Sequence, residues 1–177
     1  QLANLAMLIQ MVHSRKNEHG PFKLHERDPQ ERYDYLSDRD LKWRPFQLAY
    51  VFLVICSMID EDDPYHETVD LVWFQTGGGK TEAYLFLAAF ELVRRRLVFG
   101  SSGCGTAIIN RYTYRFLTSD QFTRTAALMC ALERIRKDNH IRSAWKGHLA
   151  EEPFTVGLWV GDSLTPNRYD SQYTDQY

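Results

Sequence analysis

The amino-acid sequence predicts an α/β chain, a parallel sheet flanked by helices and preceded by an N-terminal helical segment. Three observations predict it. Short apolar runs at 69–74, 106–110 and 155–160 alternate with stretches of helical length. Three glycines followed by lysine and threonine lie between the first of those runs and the helical stretch after it. The composition, 177 residues with 44% apolar and 14% aromatic content, supports one packed domain of ordinary size and is too short for two large ones.

Residues 2–13 are densely apolar and predict a helix of about three turns. Residues 16–40 are polar and broken by Gly20-Pro21 and Asp28-Pro29, the mark of a connector. The chain thus divides into an N-terminal helix with a polar connector over 1–40 and a main body over 41–177. A helix follows from 45 to about 58, with Pro45 suited to its first turn. It is apolar on most faces, so burial is expected. Residues 60–64 (DEDDP) predict an exposed acidic loop, and 69–74 (VDLVWF) the first strand. A helix is expected from 80 to about 96, a loop over 100–105 (GSSGCG) and a second strand over 106–110 (TAIIN). Residues 119–137 predict a helix with Thr118 or Ser119 as its N-cap, and 155–160 (TVGLWV) the third strand.

Several function classes are disfavoured. The longest apolar stretch, 48–59, has twelve residues. As a helix it spans roughly 18 Å against the ~30 Å of a bilayer core, so no membrane span is expected. Cys56, Cys104 and Cys130 are odd in number and show no metal-binding spacing, which points to reduced thiols in a cytoplasmic protein. The six histidines are scattered, and no Ser-His-Asp order stands out. No signal-peptide pattern opens the chain, and the polar residues at its end suggest a fragment of a longer protein.

The net charge of −2 hides an asymmetry. Between Arg94 and Lys146, eleven Lys/Arg face three Asp/Glu, a local balance of +8 that leaves −10 elsewhere. A basic block of this kind suits phosphate-rich partners; solvated helix faces produce the same pattern. Arg94-Arg95-Arg96 most simply complements the C-terminal dipole of its helix.

The strongest signal is Phe74-Gln75-Thr76-Gly77-Gly78-Gly79-Lys80-Thr81, between a predicted strand and a predicted helix. Three glycines let backbone N–H groups converge on an anion with no side chain in the way. A helix N-terminus adds partial positive charge. Lys80 can reach β- and γ-phosphates, and the Thr81 hydroxyl can ligate Mg²⁺. Residues 76–81 therefore predict an ATP site, with Lys80 and Thr81 serving catalysis. The general phosphate-loop formula has a further glycine where this chain has Phe74.

Two flanking segments fit. Arg44, Phe46 and Gln47 lie some thirty residues upstream, where a ring and an amide could stack on adenine and bond its edge; an ordinary helix start reads the same way. Downstream, a parallel sheet would put 111–121 at the same carboxyl edge as the loop. Arg111, Thr113, Arg115, Thr118 and Gln121 are the candidate contacts to a nucleic-acid backbone. Tyr112 and Tyr114 could stack on bases or pack in a core.

These residues resemble the first RecA-like domain of superfamily 2 helicases. TGGGKT looks like their motif I, the stretch from Arg44 to Gln47 is similar to the upstream Q-type element that reads adenine, and 112–121 looks like motif Ia. Thr165-Pro166-Asn167-Arg168 is similar to motif Ib, with asparagine replacing glycine. The combination of RPFQLA, DLVWFQTGGGKTEAYL, RYTYRFLTSDQFTRTAALMCALE and EPFTVGLWVG resembles the DrmA family, helicase-like proteins of bacterial DISARM anti-phage systems, over about 41–168. The resemblance implies the front of a RecA-like P-loop domain and an ATP-dependent DNA translocase or helicase with Mg²⁺ as cofactor. DNA, as a single strand or a duplex with a single-stranded end, and a partner protein DrmB are implied with it.

Hydrolysis also needs an acidic pair, and no apolar run ending in Asp-Glu follows Thr81. Asp60-Glu61 precedes the loop and reads as solvated. No second lobe can be recognised, so the segment alone is expected to hydrolyse almost no ATP. A nucleotide-gated DNA-binding scaffold without motor activity is the alternative.

Overall fold

The computed structural model describes residues 1–15, 42–75, 77–112, 115–144 and 149–159. Five helices form among them: α1 (Leu2–Arg15), α2 (Pro45–Ile59), α3 (Lys80–Phe99), α4 (Arg115–Lys137) and α5 (Asn139–Ala144), with a 3₁₀ turn at Gly100–Gly103. The expected connector over 16–40 lies outside the described residues.

The predicted parallel sheet does not form among the described residues. No strand is present among the described residues, and no backbone hydrogen bond joins 69–74, 106–110 and 155–159 to one another. These runs are irregular and put their large side chains in solvent: Val69 is 91% exposed, Trp73 90% and Ile109 87%. β-branched and aromatic composition measures fit to a pleated, half-buried surface rather than an intrinsic backbone preference. Without a neighbour to accept and donate ladder bonds, that composition produces no strand. A RecA-like α/β architecture is therefore replaced by a helical assembly with extended connections.

The core lies where α1, α3 and α4 meet. Leu2, Ala6 and Ile9 of α1 share one apolar cluster with Leu85, Ala89 and Val93 of α3 and with Leu128, Leu132 and Ile135 of α4. Spacings of three and four place each set on one helix face. Trp43 closes one side: its Nε1–H donates to Asn4 Oδ1 at 2.9 Å, and its ring meets Phe86 edge-on at 5.2 Å.

Helix α2 was expected to be buried and is not. It packs on α3, so only one stripe, Gln47, Val51 and Val54, is covered, while Phe52 and Leu53 are 69% and 71% exposed. Helix α4 begins at Arg115, before the expected cap at Thr118 or Ser119. Nothing between 111 and 137 is Gly or Pro, so no residue stops the helix from running back. Helix α3 continues past 96 to Phe99 and ends on Gly100, whose φ of +57° lies in the left-handed region.

The three consecutive arginines of α3 serve three purposes rather than one dipole. Arg94 pairs with Glu91, Arg95 donates to the Gly103 carbonyl, and Arg96 is buried. Arg96 donates to the carbonyls of Leu149, Glu152 and Pro153 at 2.6–3.1 Å and lies 3.5 Å from the centroid of the Phe154 ring. Glu133 of α4 completes this tie by accepting the Phe154 N–H at 2.6 Å and two bonds from Arg136.

Burial alone would raise the Glu133 pKa, but the hydrogen bonds from Arg136 and Phe154 N–H and the nearby cations outweigh it and hold the carboxyl at about 2. A depressed carboxyl stabilises the fold above its unfolded value and loses that contribution as pH falls toward its folded value. Between roughly pH 4.5 and 2 the chain is expected to lose about 3 kcal/mol through this group. Denaturation midpoints measured across that range should show the loss, and Glu133→Gln should flatten it. An equally steep profile in the variant would refute the assignment.

Candidate nucleotide site

The glycine loop leads directly into α3, as its position in the sequence requires. Gly77 and Gly79 have φ of +76° and +90°, and Gly79 is the N-cap of the helix. Both conformations favour glycine over residues that carry a Cβ. Gly78 is needed for space instead: a Cβ there would lie 2.7 Å from the Phe74 ring. At Gly77 nothing lies within 4 Å of where a Cβ would project, so that side of the loop is open.

Lys80 folds back over the loop. Its ammonium donates to the carbonyls of Phe74 at 2.5 Å and Gln75 at 3.3 Å. The Gly78 N–H also donates inward, to Gln75 O at 3.2 Å. Thr81 is half-buried in the first turn of α3, and Thr76 lies outside the described residues.

The segment thirty residues upstream is brought onto this loop. Phe46 stacks on Phe74, with ring centroids 4.0 Å apart and planes 14° from parallel. Arg44 donates to the Gly78 carbonyl at 2.8 Å, and Gln47 Nε2 donates to the Gly79 carbonyl at 2.7 Å. The Gln47 oxygen accepts the Arg44 backbone N–H at 2.8 Å, closing the first turn of α2. Gln47 is buried, and both ends of its amide are engaged with the protein. It therefore braces the loop in addition to any base contact. Phe74 replaces the glycine of the general formula with a ring that fixes Phe46 and excludes a side chain at 78.

The candidate nucleic-acid residues are placed less completely. Arg111 is exposed, and Tyr112 is half-buried, with burial raising its phenol pKa against the opposing charge of Arg124. Thr113 and Tyr114 lie outside the described residues, as do Thr165 to Arg168. Arg115 and Thr118 belong to the start of α4. Gln121 is buried and its Nε2 donates to Asp120 Oδ2 at 3.3 Å. With no sheet among the described residues, no sheet edge carries this segment to the loop.

An ion pair makes the connection instead. Arg124 of α4 binds Glu82 in the first turn of α3. Neither residue stood out in the sequence, because their partnership joins positions 42 apart on two helices and has no periodic signature. The acidic loop after α2 matches expectation: Asp60 to Asp62 are exposed, and Asp60 and Asp63 accept the backbone N–H groups of Asp62 and Tyr65.

No family model matches the chain. A curated relative does. Over 169 aligned residues the chain is 35% identical to the DISARM protein DrmA of Bacillus paralicheniformis, covering 87% of this chain and 14% of that protein, which relates it to one segment of a much longer DISARM protein.

Proposed function

We propose that this chain supplies the ATP-binding part of a helicase-like DNA motor, an ATP-dependent translocase or helicase, in a bacterial DISARM anti-phage system. The observation that carries the reading is the loop: two left-handed glycines and a third packed against Phe74, opening a twenty-residue helix with Lys80 at its first position. A helix N-terminus preceded by such a loop presents backbone N–H groups and partial positive charge to an anion. Similarity to a DISARM protein supports the defence role. The chain spans about one seventh of that relative's length, so turnover, DNA and a DrmB-like partner are properties proposed for the full-length protein.

The residues fit a triphosphate. The open side at Gly77 admits phosphate oxygens without displacing a side chain. Lys80 would exchange two carbonyl partners for phosphate oxygens, a charge-assisted bond in place of neutral ones. The Thr81 hydroxyl would hold Mg²⁺, which neutralises triphosphate charge when bound. Phe46 and Phe74 offer ring surface for the base, and Gln47 and Arg44 keep the loop carbonyls in place.

DNA engagement is proposed for Arg111, Thr113, Arg115, Thr118 and Gln121. The double variant Arg111→Ala/Arg115→Ala is expected to weaken DNA binding by the full-length protein. It should also reduce the slope of log affinity against log salt by about 1–2. An unchanged slope removes both arginines from the interface. Strand-displacement and translocation assays on the same protein separate a motor from a nucleotide-gated scaffold.

A further inference from the structure

We infer that Gln47 positions the glycine loop and leaves the base unread, so that the site holds nucleotides by their phosphates and takes guanine as readily as adenine. The inference deepens the nucleotide reading of the loop and rests on it.

Base discrimination needs a group whose pattern matches one base edge and not another. Adenine presents a donor beside an acceptor, which an amide matches, whereas guanine presents two acceptors there. Of the three flanking residues, Gln47 is the one with both functions: the Arg44 guanidinium only donates, and the Phe46 ring does neither. The fold uses both functions of Gln47 on the protein itself. Its Oε1 accepts the Arg44 backbone N–H at 2.8 Å, and its Nε2 donates to the Gly79 carbonyl at 2.7 Å. The residue is 4% exposed, and Nε2 is 2.9 Å from where a Cβ on Gly79 would project. The amide therefore lies against the main chain of the loop. Turning it toward a base would strip partners from a main-chain carbonyl and a main-chain N–H at once, and a buried group left unpaired is costly.

What this arrangement does is orient the loop. Arg44 donates to the Gly78 carbonyl and Gln47 to the Gly79 carbonyl, so two consecutive carbonyls are turned onto the start of α2. In a trans peptide the C=O and the following N–H point in opposite directions. Holding those two carbonyls toward α2 aims the N–H groups of Gly79 and Lys80 away from it. Carbonyl oxygens repel an anion and N–H groups attract one, so the brace favours any phosphate whatever base it carries. The base itself meets rings: Phe46 and Phe74 stack on each other, and Phe74 is still 45% exposed. Stacking on a ring tolerates every base, because each has a π-face.

The test is calorimetric titration of the full-length protein with ADP and with GDP in the presence of Mg²⁺. The two dissociation constants should agree within about fivefold, the least that a base-reading pair of hydrogen bonds gives. A preference beyond fivefold for either nucleotide overturns the inference, and this comparison needs no variant. Gln47→Met and Arg44→Ala should each weaken ADP and GDP by one common factor, roughly 3- to 10-fold, at unchanged stoichiometry. A variant that merely folds poorly lowers the stoichiometry and leaves the constant of its folded fraction alone. Arg44 is exposed, so its replacement opens no buried site. A loss confined to one nucleotide, or unchanged constants in Gln47→Met, overturns the positioning role. Failure of the unmodified protein to bind either nucleotide overturns the nucleotide reading beneath it.

Discussion

Replacing Lys80 by alanine is expected to abolish ATP turnover by the full-length protein, a loss on the order of 10²–10³-fold or more. Its ammonium is the loop's own side-chain cation, and it is held at the mouth of the loop by the Phe74 and Gln75 carbonyls. No other described cation is bonded there except Arg44, which is bonded to Gly78 O and stands on another helix start. Lys80 belongs to neither apolar core cluster, and its ammonium bonds to loop carbonyls. Melting temperature should therefore hold while turnover disappears. Steady-state phosphate release, read beside a thermal melt, distinguishes the two effects. Turnover that persists unchanged would refute the role given to Lys80 and leave the glycine loop a structural turn.

The second large effect concerns stability. Arg96→Ala is expected to lower the unfolding free energy by about 3–5 kcal/mol. Three carbonyls of 149–153 lose their donor at once, and each buried acceptor left unpaired costs about 1–3 kcal/mol before relaxation and water entry recover part of it. The cation over Phe154 is lost as well. Arg96→Lys should retain only part, because an ammonium cannot span three carbonyls and stack on a ring together. Chemical denaturation gives both values. A loss below about 1 kcal/mol for the alanine variant would mean that 149–154 is held by other contacts.

The helices were largely legible because their signals are local. Apolar spacing in 2–13 and 80–96, Pro45 at a helix start and Gly100 at a helix end act within a turn or two of themselves. The position of the glycine loop at the start of a helix was legible for the same reason, since Gly77 to Lys80 are adjacent in the chain. The sheet was misread because VDLVWF, TAIIN and TVGLWV carry strand composition but find no pairing neighbour among the described residues. Burial of α2 was misread because Phe52 and Leu53 are apolar, yet α3 covers one stripe alone. Arg96 looked like part of a charged run, and only the fold reveals that 149–153 wraps around it. Gln47 and Phe46 stood out in the sequence as candidate adenine contacts, but their partners in the fold, Gly79 O and Phe74, could not be read from residues thirty apart.

Trp73, Val69, Leu71, Ile109 and Trp159 stand in water on connections without ladder partners among the described residues. Greasy side chains beside open main-chain donors and acceptors are sticky toward one another as well as toward foreign molecules. Bench work with the isolated segment therefore calls for dilute, cool samples and a light-scattering record, so that clumping is not mistaken for affinity.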